Sequence, residues 1–423
     1  MAIINFLATQ VFGQPVFLFG LIALVGLLIG RRPVEDIVLG VVKTMIGFLI
    51  LVAGANLLTS IITPISSWLG TILRVQGVQP TMWAVLSSGM KEYGATIGIA
   101  VLIGFVLNLI LARITPLKGV NVTGHIMLLF AAWVTVFLVG HGFSGVSLAI
   151  ISGVICGLQY WLTPSIIRFF MKAKITDEWS LCVPDVIGVA LTSWLSPIVG
   201  KPKDSIEDIS VPEKLSWVRD SVVGIAVFGS LIWLVVGLIA GQEAVAKFSA
   251  GQNWITYLLI IGVQFSAGVV IVLQGVRMLL GEIVPAFKSI SEKVIPGAIL
   301  GLDYPSVFSF SQTAVFIGFF SKLAGAIVGT LLEIALRLPV IILPSVFMDF
   351  WDGALMGVFA NKFGGKKAVI IVPFVLGIVI QLVWALSYGY TGKFLVGNSL
   401  AMDYPDPGFL ALILGPILRL FGR

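Results

Sequence analysis

The sequence predicts an all-α polytopic membrane protein, and three observations carry that prediction. Of the 423 residues, 58% are hydrophobic and only 11% charged, with a mean hydropathy of +1.08, whereas soluble domains keep about a quarter of their residues charged. The apolar runs reach the roughly 20 residues that a helix needs to cross about 30 Å of hydrocarbon. They are continuous and lack the period-two alternation of barrel strands.

The first span is expected over 14–30. No basic segment precedes its apolar run, and Arg31 and Arg32 follow it directly, a stop-transfer pattern rather than a cleaved leader. Spans follow at 37–62, stopped near Pro64, at 94–112, stopped at Arg113, and at 124–140 and 144–162. A second series occupies 221–241, 254–276 (stopped at Arg277), 313–332, 339–358 (before Lys362) and 368–388, with a last span at 408–421. That makes about 11 transmembrane helices. Between them, 78–92 ("VQPTMWAVLSSGMKE"), 296–312 ("PGAILGLDYPSVFSFSQ") and 179–200 ("WSLCVPDVIGVALTSWLSPIVG") are too short, or too broken by Pro and Gly, to cross simply. They read as re-entrant hairpins.

An internal repeat pairs the first two of these stretches. Leu58/Leu279, Ile62/Ile283, Pro64/Pro285 and Met127/Met348 recur at a constant offset of 221, which also sets Met82 and Trp83 against Asp303 and Tyr304. Basic residues follow the first span of the first half but lie at the opposite end in the second, at Arg277, Lys288 and Lys293. By the positive-inside rule the two five-helix halves are inverted, with the N-terminus outside and the C-terminus cytoplasmic. Arg113, Lys118, Arg168, Lys172, Lys174, Lys201, Lys203, Lys362, Lys366, Lys367 and Arg423 then face inward, and Arg74, Lys91, Arg337 and Lys393 are exceptions. The expected units are 1–176, 177–215 with an interrupted hairpin and loop, 216–392, and a C-terminal helix in 393–423.

Two inverted halves with broken segments are a transporter's architecture, with the substrate site near the midplane. A carboxylate at that depth costs roughly 2.5–3.5 kcal/mol on insertion scales, so Asp303 calls for a partner or a function. Cys156 and Cys182 offer no disulfide framework. No metal-ligand spacing, nucleotide-binding glycine motif or Ser-His-Asp set appears, so neither a cofactor nor autonomous catalysis is expected. The net charge of +6 is what membrane-flanking basic residues produce and gives no reason to expect nucleic acid.

The stretches "KTMIGFLILVAG" (43–54), "VTGHIM" (122–127), "GKPKDSIEDI" (200–209) and above all "QGVRMLLGEIVPAFKSISEKVIPGAILGLD" (274–303) resemble the ascorbate-type IIC membrane subunit of the bacterial sugar phosphotransferase system, in a superfamily shared with the galactitol type. The resemblance covers essentially the whole chain. It implies a homodimer in the inner membrane's lipid, a core domain that carries sugar past a scaffold elevator fashion, and cytoplasmic IIB and IIA proteins that supply the phosphoryl group. It also implies that Asp303 and His125 face the sugar. Asp185, in "PDVIG", falls near a family histidine. Where ascorbate-type members carry polar residues, this chain has Ala55, Met82, Trp83 and Leu129.

Sugar hydroxyls must exchange water for protein partners at about 1–3 kcal/mol for each one left unmet. Asp303, His125, Asp185, Asn56 and Gln312 are the candidate polar contacts, and Trp83 or Tyr304 the aromatic platform. His125 and Asn56 also fit helix packing, Trp83 an interfacial belt, and His141 an interfacial position. The loop 201–214 ("KPKDSIEDISVPEK") is either a IIB docking surface or a solvated connector. A galactitol- or pentitol-specific IIC, or a proton- or sodium-coupled carrier using Asp303 or Asp185, would share these features.

Overall fold

The computed structural model describes residues 15–73, 77–208, 221–293 and 295–420. The first 14 residues, Arg74, residues 209–214 of the mixed-charge loop and Arg423 lie outside the described residues.

Each of the expected spans overlaps a helix, and two of them, 339–358 and 368–388, share one. α1 (Pro15–Ile29) leads into α2 (Val34–Leu73), α3 (Met82–Ile114), α4 (Gly124–Gly140) and α5 (Gly145–Lys174); after the strand β2 comes α6 (Val186–Val199). α7 (Ser221–Ala240) and the short α8 (Gln242–Ala246) precede α9 (Trp254–Lys293), α10 (Gln312–Ala335), α11 (Val346–Tyr388), the short α12 (Lys393–Gly397) and α13 (Pro405–Leu420). Among the described residues six helices are long and apolar enough to cross a membrane, in α2, α3, α5, α9, α10 and α11. Shorter apolar helices, including α4 and α6, accompany them. The chain is an integral membrane protein. Val38, Leu39, Val42, Ile46 and Leu49 of α2 and Leu102, Val106 and Ile110 of α3 stand exposed as apolar stripes, a surface that water would not tolerate and acyl chains do.

The boundaries differ from the sequence reading where tertiary contacts intervene. Residues 82–92 do not form a separate hairpin; they are the first arm of α3, which breaks at Tyr93 (φ −128°, ψ 21°). The segment expected to span from 339 starts its helix only at Val346, because Ile342 bridges in parallel to Val78, with Val78 N–H donating to Ile341 O (2.9 Å) and Leu343 N–H to Val78 O (2.9 Å). It then runs on into the next span as α11. The two arms of α11 meet at Gly365, whose φ of +69° and ψ of −164° belong to a region open only to glycine. A Cβ there would lie 2.4 Å from the carbonyl oxygens of Lys201 and Asp204. Gly365→Ala should therefore cost at least about 1–3 kcal/mol and lower the melting temperature of the purified protein in detergent, with no change at a neighbour such as Lys366→Ala.

The interrupted stretches keep their backbone groups satisfied by pairing with one another. β1 (Gly119–Asn121), β2 (Trp179–Leu181) and β3 (Ile299–Leu302) form a buried parallel sheet in the order β1-β3-β2, with Gly119 opposite Ile299 and Trp179 opposite Leu300. Non-helical backbone at membrane depth is stable only when it is so covered. Asn108 of α3 closes the edge of β1, donating to Gly119 O (2.9 Å) and accepting from Asn121 N–H (3.0 Å). In the other half, Ile342 receives the same treatment from α10 and α11: Glu333 accepts its N–H (2.7 Å) and Gln381 donates to its carbonyl (2.6 Å).

Two helices are buried on every side. In α4 all residues from Ile126 to Leu138 except Leu128 are buried, as are nearly all from Val346 to Asn361 in α11, so both lie at the centre of the bundle. His141 is buried in the protein at the end of α4, where its Nδ1 lies 2.8 Å from Phe137 O. α10 and α11 approach closely through small residues; a Cβ on Gly318 would meet Gly353 O at 2.3 Å and Gly357 Cα at 2.6 Å.

Candidate functional site

A cavity of about 350 Å³ lies where α2, α3 and α4 meet the segment that follows β3 and the start of α11. That volume is at the small end of the roughly 300–1,000 Å³ of small-molecule sites. Its floor is made by interrupted segments. β3 ends at Leu302, and a 3-10 helix, Tyr304–Phe310, starts at once, with Asp303 as its N-cap: Oδ1 accepts the Tyr304 N–H at 2.7 Å. The cap fixes the side chain so that Oδ2 stands 3.1 Å from Nε2 of His125, in the first turn of α4. Both side chains keep partial access, 30% for His125 and 20% for Asp303, so a ligand hydroxyl can bond to the pair without displacing it.

Five of the seven residues singled out in the sequence, Asp303, His125, Tyr304, Trp83 and Asn56, line this one cavity. Ala55, Met82 and Leu129, which replace polar residues of ascorbate-type sequences, line it too, beside Trp83. The wall is consequently apolar and aromatic, with Trp351 and Tyr404 completing it. The rings of Tyr304 and Tyr404 are parallel, with their centroids 6.4 Å apart.

Asp185 and Gln312 are not on the cavity wall. Gln312 is the first residue of α10, at the end where Glu207 accepts the N–H groups of Thr313 (3.3 Å) and Ala314 (3.0 Å). Those bonds hold the first part of the 201–214 loop against the helix N-terminus. Asp185 precedes α6 and is fully buried behind the cavity. Burial, together with the carboxylates of Asp352 and Asp406, holds its carboxyl well above the usual carboxylate range. Cys182, also buried, makes thiol contacts with Thr123 Oγ1 (3.1 Å) and Leu302 O (3.3 Å) and serves packing.

Residues absent from the sequence reading complete the surroundings. Asp406 accepts the N–H groups of Val186 (2.8 Å) and Ile187 (3.0 Å), capping α6. Asp403 accepts Met82 N–H (2.8 Å) and the Ser345 hydroxyl (3.0 Å), capping α3 beside the cavity, and burial raises its carboxyl to about 6. Lys322 of α10 is buried between Asp349 (2.6 Å) and Asp352 (3.5 Å) of α11. The signals were present. Pro184-Asp185 and Pro405-Asp406 recur at the same offset of 221, and Lys322, Asp349 and Asp352 are charges inside apolar runs.

The sequence profile of the family described as "PTS system sugar-specific permease component" matches residues 10–404. The "Ascorbate-specific PTS system EIIC component" of Mycoplasma pneumoniae (strain ATCC 29342 / M129 / Subtype 1) is 28% identical over 436 residues, which cover 88% of this chain and 65% of that protein. The chain thus spans just under two thirds of the length of this curated relative. With nearly its whole length matched, over a fold of membrane helices, the chain belongs to the family of sugar-specific permease components of the phosphotransferase system.

Proposed function

We propose that this protein is the sugar-translocating IIC component of a phosphotransferase system, carrying ascorbate or a related sugar acid or polyol inward for phosphorylation by a separate IIB protein that is recharged by IIA. The observation that carries the reading is the His125–Asp303 pair, 3.1 Å apart, on the wall of a predominantly apolar and aromatic cavity that Asn56 also lines. A polyhydroxylated ligand needs a few fixed polar partners and an aromatic face for its C–H side. Among the described residues that line the cavity, Asp303 supplies the carboxylate and His125 the imidazole that it faces. Neither lysine nor arginine is among the described residues that line the cavity, so hydrogen bonds rather than a fixed cation would hold the hydroxyls of ascorbate or of a related polyol.

The architecture supports alternating access. α2 and α9 are both 40 residues long and carry Pro64 and Pro285 at matching places. Gly145 and Gly365, each at positive φ, open matching helices α5 and the second arm of α11. We read 1–176 and 216–392 as inverted halves and 177–215 and 393–423 as a matched pair of appendices. In this reading the hairpin-bearing core moves elevator fashion past a homodimeric scaffold in the bacterial inner membrane, with the N-terminus outside and the C-terminus cytoplasmic.

The test is uptake of labelled ascorbate, galactitol and pentitols in cells lacking their own carriers, with and without cognate IIA and IIB. Phosphorylated product that appears only with the partners is the expected result. Unmodified substrate that accumulates without them and collapses with the proton or sodium gradient would identify an ion-coupled carrier instead. Reversing the charges of Lys201, Lys203 and Asp204 should slow phosphorylation without weakening sugar binding if this loop docks IIB; unchanged phosphorylation would reduce it to a connector.

A further inference from the structure

Behind the sugar cavity lies a second charged centre that the reading above does not use. Lys322, Asp349, Asp352 and Asp185 are each at most 1% exposed. The lysine Nζ is 2.6 Å from Asp349 Oδ1 and 3.5 Å from Asp352 Oδ2. Neither oxygen of Asp185 has a hydrogen-bond partner among the described residues, and its Oδ1 is folded in toward Gly188, 2.0 Å from where a Cβ there would stand. Asp185 faces Asp352 of α11, Asp406 of α13, Lys322 of α10 and Tyr304 of the 3-10 helix. Asp352 faces those same lysine and tyrosine side chains together with Asp349 and Asp403.

The fold does not need this centre. At the offset of 221, the counterparts of Lys322, Asp349 and Asp352 in the first half are Val101, Leu128 and Ala131. The same helices pack there with no charge at all, so the cluster in the second half is retained at an electrostatic cost that packing does not explain. The charges also do not balance. One ammonium offsets one of three buried carboxylates, and an ionised carboxylate left without a partner in this environment is prohibitively costly. Asp406 and Asp403 are provided for by two donors each. No group of three or more His, Cys, Asp or Glu among the described residues could hold a metal ion, and the centre of the cluster is filled by the lysine. The remaining neutraliser is the proton.

We propose that Asp185 and Asp352 form a proton-binding site directly behind the sugar cavity, linked to it through Tyr304. The carboxylic acid releases its proton to water as the carboxylate forms, and Lys322 then stabilises the carboxylate. Tyr304 joins the two sites because its ring lines the cavity while its hydroxyl faces Asp352, and Asp303, the residue before it, holds the cavity's carboxylate. Reciprocal linkage follows: a ligand that bears on Tyr304 and the proton alter each other's affinity by one common factor. The proton site itself stands whether or not the cavity takes a sugar; only the linkage rests on that reading.

The test is infrared spectroscopy of the purified full-length protein at neutral pH, comparing H2O with D2O for the C=O stretch of protonated carboxyl groups. Such a band is expected in the wild type and should be reduced in Asp185→Asn or Asp352→Asn while persisting in Asp303→Asn. No protonated-carboxyl band in the wild type, or a band unchanged in both variants, would overturn the site; the wild-type measurement decides even if a variant does not fold. Tyr304→Phe removes the buried hydroxyl that faces the Asp352 carboxyl and should shift the pH at which the band is lost. A titration that does not move would overturn the linkage and leave the proton site standing.

Discussion

Asp303→Asn is expected to weaken sugar binding by roughly 10- to 100-fold, the effect of losing one charged hydrogen bond worth about 1.5–3 kcal/mol. The substitution is informative because it separates the two duties of this side chain. The amide oxygen of Asn can still accept the Tyr304 N–H that Oδ1 accepts now, so the 3-10 helix keeps its cap. The second position becomes an NH2 donor facing the imidazole, and the pair with His125 at 3.1 Å loses its charged acceptor. Binding measured on the detergent-solubilised protein with the sugar identified by uptake, alongside the melting temperature, distinguishes the outcomes. Affinity should fall while the melting temperature holds. A fall in both would mean that Asp303 acts mainly as a cap, and unchanged affinity would remove the pair from the sugar site.

Lys322→Met is expected to be the most damaging single change to stability, at about 3–5 kcal/mol. Met matches the length of the lysine stem and keeps its packing between α10 and α11, so the loss is electrostatic. Asp349 and Asp352, both fully buried, would be left without their cation. The cation also lies 5.6 Å from the centre of the Trp384 ring, an attraction that the thioether does not reproduce in kind. The measurement is the half-life of folded protein on heating in detergent. The double variant Lys322→Met with Asp349→Leu should recover part of the loss, because removing both partners of a buried pair is far less costly than removing one. A single variant as stable as the wild type would show that the pair contributes no net stabilisation.

Much of the cavity was legible before any coordinates. The offset of 221 set Met82 and Trp83 against Asp303 and Tyr304, and all four now line one wall. Asp303 stood out as a carboxylate in an apolar, proline-broken stretch, and His125 through a family motif. Asn56 came from the same reading of polar residues in spans. Asp185 was recognised as unusual, but its side chain lies behind the cavity rather than on it, because α6 is pinned by Asp406 from a segment 220 residues away. Gln312 is likewise off that wall, at the start of α10, whose N–H groups are held by Glu207.

The sequence by itself determined the solvent of this protein and the apolar segments that form its helices. Those properties follow from transfer free energy, which adds along the chain residue by residue and needs no knowledge of neighbours. Only the tertiary structure decided what each polar residue meets. His125 finds Asp303 across 178 residues, Met82 is capped by Asp403 across 321, and Lys322 is enclosed by two aspartates of the next helix. In a bilayer an unpaired polar group is costly wherever it lies, so the sequence can say that each of these residues must have a partner. Which partner it has depends on distances that only the packed helices set.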